Sequence, residues 1–246
     1  RIEKCTLTDG RIIVTKEMCF NLETSRAEFD RQLEVARRVR TFEHHHLIQY
    51  LDVVVEMNDV EGKIIILMPF YAEQDLWQFI QKNQSLLTEH LICSLGLQIG
   101  TALAFLHSRT PPMIHRDVKP DNILMRNNGQ QALLMDLDTC RSVGESLRTM
   151  TLARGTMEYM APEAMSGGTT AKSDVWSLGV VMWIMAAIPD FAMLKNGGSE
   201  CVLNASNWTE GSLRAAIVES IGKRSKSFSK RFVELIVRML RHNVAL

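Results

Sequence analysis

His115-Arg116-Asp117-Val118-Lys119-Pro120-Asp121-Asn122 is the stretch on which the reading of this chain turns. It sets an acid, a base and an amide at a spacing suited to phosphoryl transfer. Asp117 can accept the proton of an attacking hydroxyl. Lys119 can neutralise charge on the moving phosphoryl group, and Asn122 can hold a metal ion through its amide oxygen. A polar surface turn has no need of all these residues at fixed separations.

Partners for this loop recur in order along the chain. Lys16 ends the apolar run Val14-Thr15-Lys16, and a lysine pointing inward from a strand is costly unless it meets a negative group. Asp136, in Asp136-Leu137-Asp138, follows the apolar residues 132–135, where a carboxylate beside Asn122 can bind a cation bridging two phosphates. Gly155-Thr156-Met157-Glu158-Tyr159-Met160-Ala161-Pro162-Glu163 closes a polar stretch of Ser, Thr and Gly. Long loops of this kind in compact domains are usually functional. Asp174, in Asp174-Val175-Trp176-Ser177-Leu178-Gly179, is expected to cap an apolar helix and hold the backbone of the 115–122 loop.

Hydrophobic periodicity divides the chain in two. Residues 2–7 and 11–18 read as strands joined at Asp9-Gly10, a hairpin signal. Residues 25–42 read as a helix, with Phe29, Leu33, Ala36 and Val39 on one face. Residues 47–55 and 63–68 read as further strands, and Pro69 interrupts the ladder because it has no N–H. Beyond it, 74–83 and 89–107 read as helices, 123–126 and 132–135 as short strands, and the chain from 172 onward as mostly helical. This is an α+β arrangement: a small strand-rich part, 1–70, before a larger helical part, 71–246.

Bulk properties exclude several classes. The chain has 246 residues, 46% hydrophobic, enough for a substantial core. Its net charge is zero, which gives no reason to expect nucleic-acid binding. The five cysteines, at 5, 19, 93, 140 and 201, show no paired spacing for zinc or a disulfide framework. A reducing, cytoplasmic setting is therefore expected. The longest apolar run, LGVVMWIMAAIP at 178–189, has twelve residues, short of the ~20 a bilayer requires. No membrane association is visible within the chain, and any lipidation signal would lie upstream of Arg1. The triplets at Asn204 and Asn207 match glycosylation acceptors but are common by chance. His44-His45-His46 reads as a turn with one packed histidine, and the basic stretch 223–231 as a solvated face.

Taken together, these motifs resemble the eukaryotic-type serine/threonine protein kinases over essentially the whole chain. The resemblance implies a two-lobed fold, with a small antiparallel sheet and one helix before a mainly helical lobe. It implies ATP and Mg²⁺ as cofactors, a protein substrate, and activation by another kinase or by autophosphorylation. Lys16 would bind the α- and β-phosphates. Glu34 is the candidate helix carboxylate for Lys16 by residue type, although Gln32 and Val35 fit the inward register as well or better. Met68 would stand at the back of the adenine pocket. The Pro69 carbonyl and the Tyr71 backbone would meet the adenine, with Val14 and Leu124 above and below it. Mg²⁺ would sit on Asn122 and Asp136. His115, Arg116, Glu163, Asp174 and Thr156 would have structural or regulatory roles. Arg116 would pair with a phosphate on the long loop, with Ser146, Thr149 and Thr151 as candidate acceptors.

Leu67-Met68-Pro69-Phe70-Tyr71, Leu76-Trp77 and Leu134-Met135-Asp136-Leu137 resemble the Numb-associated kinases, a branch with a lipid-anchored, Golgi-associated member. Val14-Thr15-Lys16-Glu17 and Leu47-Ile48-Gln49-Tyr50 resemble the NIMA-related kinases. Asp138 departs from the family, which usually has glycine there. It would restrict flipping of its loop or add a second carboxylate near the metal. A glycine-rich phosphate loop is expected just before Arg1, and an arginine partner for Glu163 beyond Leu246, both outside this sequence. The alternative from another class is a pseudokinase scaffold, motivated by Asp138, by the unsettled helix carboxylate and by the missing glycine loop.

Overall fold

A computed structural model describes residues 1–142, 157–165, 168–187, 210–224 and 227–241. Strands β1 (Ile2–Thr6) and β2 (Ile12–Asn21) form a hairpin. Gly10 takes its turn at φ 84°, a conformation glycine adopts without a Cβ penalty. Asn21 ends β2 and starts helix α1 (Leu22–Arg40), its side chain accepting the N–H groups of Glu23 and Thr24. That cap explains why α1 begins three residues before its expected start. Strands β3 (Asp52–Met57) and β4 (Glu61–Pro69) complete an antiparallel sheet of order β1-β2-β4-β3. Pro69 closes β4 opposite Ile13, at a strand end where its missing N–H does least harm.

The strand expected over 47–55 is split between the two parts. Only residues from Asp52 on join the sheet. Ile48 N–H donates to Leu134 O, and Leu134 N–H to His46 O, which ties this segment to the second part of the chain.

One face of the sheet carries the core. Ile64 and Ile66 of β4 are fully buried, and they lie opposite Met18 and Lys16 of β2. Directly paired residues point to the same face, so Lys16 faces the side that α1 covers. Gly62 lets α1 approach closely: a Cβ there would sit 2.7 Å from Leu22 and 2.8 Å from Phe29.

The second part contains α2 (Leu76–Lys82), α3 (Glu89–His107), β5 (Met113–Ile114), β6 (Ile123–Arg126), β7 (Gln131–Leu134) and β8 (Arg141–Ser142). It continues with α4 (Pro162–Met165), α5 (Ala171–Ala187), α6 (Glu210–Arg224) and α7 (Lys230–Met239). Short 3₁₀ turns lie at Pro120–Asn122, Leu137–Thr139 and Met157–Tyr159. Helix α5 is apolar on nearly every side and correspondingly buried, the pattern of a central core helix. By length and composition α3 could cross a bilayer. Here its Leu95, Ile99, Leu103 and Leu106 are buried, and it packs on α5 and β7.

His44 and His46 form the expected turn: the His44 ring tilts against Phe105, and His46 Nδ1 meets Ala132 O at 3.0 Å. In the basic stretch, Lys223 pairs with Glu219, and Arg224 donates to the carbonyls of Gln84 and Met185. Thr156, Ser146, Thr149, Thr151 and both asparagine triplets lie outside the described residues.

Candidate active site

The 115–122 loop is held from beneath by α5. Asp174, almost fully buried, accepts the N–H of His115 on Oδ2 at 2.9 Å and that of Arg116 on Oδ1 at 2.8 Å. His107, the last residue of α3, donates Nε2–H to Oδ2 at 2.7 Å. Asp174 does not cap α5, contrary to its expected role there. The helix starts three residues earlier, where the Thr170 hydroxyl accepts the Lys172 N–H. All of the carboxylate thus serves the loop and His107. Arg116 sits at φ 74°, a left-handed conformation that disfavours a side chain by roughly 1–3 kcal/mol unless its surroundings hold it. The Asp174 bond to its N–H is part of that hold.

His115 is fully buried. Its Nε2 donates to Met135 O at 2.8 Å, and its Nδ1 accepts the Asp117 N–H at 3.3 Å. Those partners assign the neutral Nε2–H tautomer. The ring thereby locks the 115–122 loop to the segment entering Asp136. The Thr139 hydroxyl, facing the carbonyls of His115 and Asp136 at 2.8 and 2.9 Å, ties the same two segments.

Asp117 Oδ2 accepts from Asn122 Nδ2 at 2.7 Å and lies 2.8 Å from Lys119 Nζ. Asn122 Nδ2 also donates to Asp117 O at 2.8 Å. Both amide hydrogens are thus committed to Asp117, and the amide oxygen Oδ1 is left as the group able to meet a cation. Met135 N–H donates to Asn122 O at 2.8 Å, which places Asp136 next to this amide. Asp136 and Asn122 are hard oxygen donors and fit Mg²⁺, which takes one or two protein oxygens and completes its shell with phosphates and water.

Lys16 Nζ forms ion pairs with Asp136 Oδ1 and, at 2.6 Å, with Asp138 Oδ1. Burial opposes the Lys16 charge, yet Asp138 and Asp136 raise its pKa above the ordinary lysine value. Burial also works against both carboxylates. Asp138 and Lys16 still hold the Asp136 carboxyl below the usual range, while burial and then Asp136 push the Asp138 carboxyl above it.

Glu34 does not meet Lys16. It lies on the exposed side of α1, whereas Gln32 and Val35 are buried. A helix repeats every 3.6 residues, so residues 32, 35, 36 and 39 share the inward stripe and residue 34 is excluded from it.

Val14 and Met68 are directly paired across β2 and β4, on the same face as Lys16. Leu124, buried in β6, bridges to Asp75, and the Tyr71 ring lies 4.8 Å from the Arg126 guanidinium. β7, the partner of β6, leads directly into Asp136. Further on, Glu163 accepts the Ser173 hydroxyl at 2.8 Å, and the Ser177 hydroxyl donates to Tyr159 O at 2.7 Å. The segment before α4 is thereby fastened to α5.

The protein kinase domain family matches residues 1–245. This chain belongs to that family. Among its relatives, a probable serine/threonine-protein kinase nek2 of Dictyostelium discoideum is 32% identical over 187 residues, 73% of this chain and 43% of the relative. Serine/threonine-protein kinase 16 of Mus musculus is 31% identical over 195 residues, 73% of this chain and 62% of the relative. The chain therefore spans about half the length of the curated relatives it matches. Kinase domains of this family use ATP and typically Mg²⁺.

Three contributors to the kinase site were not assigned by the sequence. His107 and Thr139 stabilise the 115–122 loop from elements whose approach no linear pattern predicts. Asp138 is expected from the sequence to restrict its loop or add a carboxylate near the metal, but not to pair with Lys16.

Proposed function

We propose that this kinase domain transfers the γ-phosphate of ATP to serine or threonine hydroxyls of protein substrates. The observation that carries this reading is Asp117, a buried carboxylate held by Asn122 and Lys119 on a loop anchored by Asp174. The substrate hydroxyl gives its proton to Asp117 as its oxygen forms a bond to the γ-phosphorus. The bond from that phosphorus to the β–γ bridging oxygen breaks, and ADP leaves. Lys119 places a positive charge beside the transferring group, and Lys16 meets the α- and β-phosphates. Mg²⁺, when bound with the nucleotide, neutralises phosphate charge, and Asp136 with Asn122 Oδ1 would hold it. The adenine would lie against Val14, Met68, Pro69, Tyr71 and Leu124.

Lys119 and the serine/threonine-kinase relatives favour serine/threonine specificity. The scaffold alternative has no support among those relatives. The Numb-associated branch rests on the hinge stretch 67–71 with Leu76-Trp77. Regulation by a loop phosphate rests on Arg116, whose pKa is lowered by burial and then by neighbouring Arg141 and Arg31. Glu28 is an acidic partner of Arg31 and Arg141, so two guanidiniums share this carboxylate and Arg116 adds a third positive charge beside them. A doubly charged phosphate would relieve that excess.

The test is Asp117→Asn, assayed with labelled ATP and a generic protein substrate. Transfer should be abolished with the fold intact. Transfer that survives the substitution sinks the assignment.

A further inference from the structure

Lys16 points to the covered face of the sheet, and a lysine there needs a carboxylate to hold it. Its ammonium rides on a flexible four-carbon stem and must be fixed to be useful to a phosphate. Helix α1 packs over that face but brings no acid to Lys16. Val35, the residue reached by counting back from His44 without a gap, is apolar and buried. Glu28 is engaged with Arg31 and Arg141, Asp30 with Arg26, and Glu34 is exposed. Among the described residues, both ion pairs of Lys16 come from the turn at 136–138.

The geometry of that turn explains the double contact. Asp136 is left-handed at φ 60° and opens the 3₁₀ turn Leu137–Thr139. Leu137 points into the core with no exposure, so the carboxylates on either side of it reach Lys16 together. The Thr139 hydroxyl against Asp136 O and His115 O stabilises the arrangement. If Asp136 turns to a metal-bound nucleotide, Lys16 retains Asp138.

We propose that Asp138 is a positioning residue for Lys16 and replaces the carboxylate that α1 does not supply. This rests on the phosphotransfer reading above, in that Lys16 is taken to meet the nucleotide phosphates. The family's usual glycine should therefore be harmful here. The cluster holds two carboxylates for one ammonium, so removing one strands no positive charge and leaves the fold intact.

The experiment compares Asp138→Asn and Asp138→Gly with the unaltered chain. It uses steady-state kinetics in ATP and calorimetric binding of Mg-ATP. In both variants kcat/KM for ATP should fall by roughly 10²-fold, as for a mispositioned reacting group, and Mg-ATP affinity by about tenfold. The melting midpoint should stay within about 2 °C, no more than the shift produced by about 1 kcal/mol in a domain of this size. Adding Val35→Glu to Asp138→Gly returns a carboxylate to the α1 position and should recover about tenfold of the lost kcat/KM or affinity.

Unchanged or faster turnover with unchanged affinity in the Asp138 variants overturns the proposal. So does a loss matched by a collapse of the melting midpoint, or a double variant no better than Asp138→Gly. If the unaltered chain binds Mg-ATP but transfers no phosphate, the phosphotransfer reading fails, while the affinity measurements still decide the role of Asp138.

Discussion

Asp174 accepts the backbone N–H of His115 at 2.9 Å across 59 residues of sequence. This bond joins the start of the central helix to the start of the 115–122 loop. With the 2.8 Å bond to Arg116 N–H, it holds a backbone turn that side-chain chemistry alone would not favour.

Asp174→Asn replaces one acceptor oxygen by a donor and sets N–H against N–H in a buried site. It should destabilise the domain by about 1–3 kcal/mol, the penalty for an unsatisfied buried group. Because Asp117 rides on the same loop, kcat should fall as well. Urea denaturation and steady-state kinetics read the two effects, and a variant of unchanged stability would remove Asp174 from this role.

Lys119→Ala removes the ammonium 2.8 Å from Asp117 and leaves Asn122 in place. We expect kcat to drop by about 10²–10³-fold, the scale of losing one aligned electrostatic donor. KM for ATP and the melting midpoint should change little. A rise in KM at constant kcat would place Lys119 in ground-state binding instead.

Arg116→Ala should make turnover indifferent to loop phosphorylation. Phosphatase treatment should slow the unaltered domain and leave the variant at its own basal rate. Phosphatase sensitivity of equal size in both would show that the phosphate acts elsewhere.

Gly62→Ala tests the packing of α1 on the sheet. The added Cβ would meet Leu22 at 2.7 Å and Phe29 at 2.8 Å. Overpacking of this kind destabilises by about 1–3 kcal/mol. Thermal denaturation would register the loss, and an unchanged midpoint would mean that both side chains can yield.

Much of the fold was legible because its signals are local. The 89–107 helix and the 123–126 strand have the bounds their patterns implied, since each is bracketed by turn residues and keeps one period throughout. The start of α1 was misplaced because Asn21 is at once the last strand residue and the cap. The strand over 47–55 was over-extended because its first half is equally apolar but pairs with β7, a choice made by distant chain.

The site divides in the same way. Asp117, Lys119, Asn122, Asp136 and Lys16 are residue types at fixed separations, so the sequence by itself determined which groups are the candidates for the chemistry. It could not determine which charge meets which. Glu34 has the right chemistry for Lys16 but the wrong helical phase. Asp138 has the right position only because Asp136 turns left-handed and Leu137 is buried beside α1. Ion pairing depends on where side chains converge in space, and residues 122 positions apart in the chain converge only through tertiary packing. That packing alone decided that the second acid on Lys16 comes from the turn after β7 and not from the helix above it.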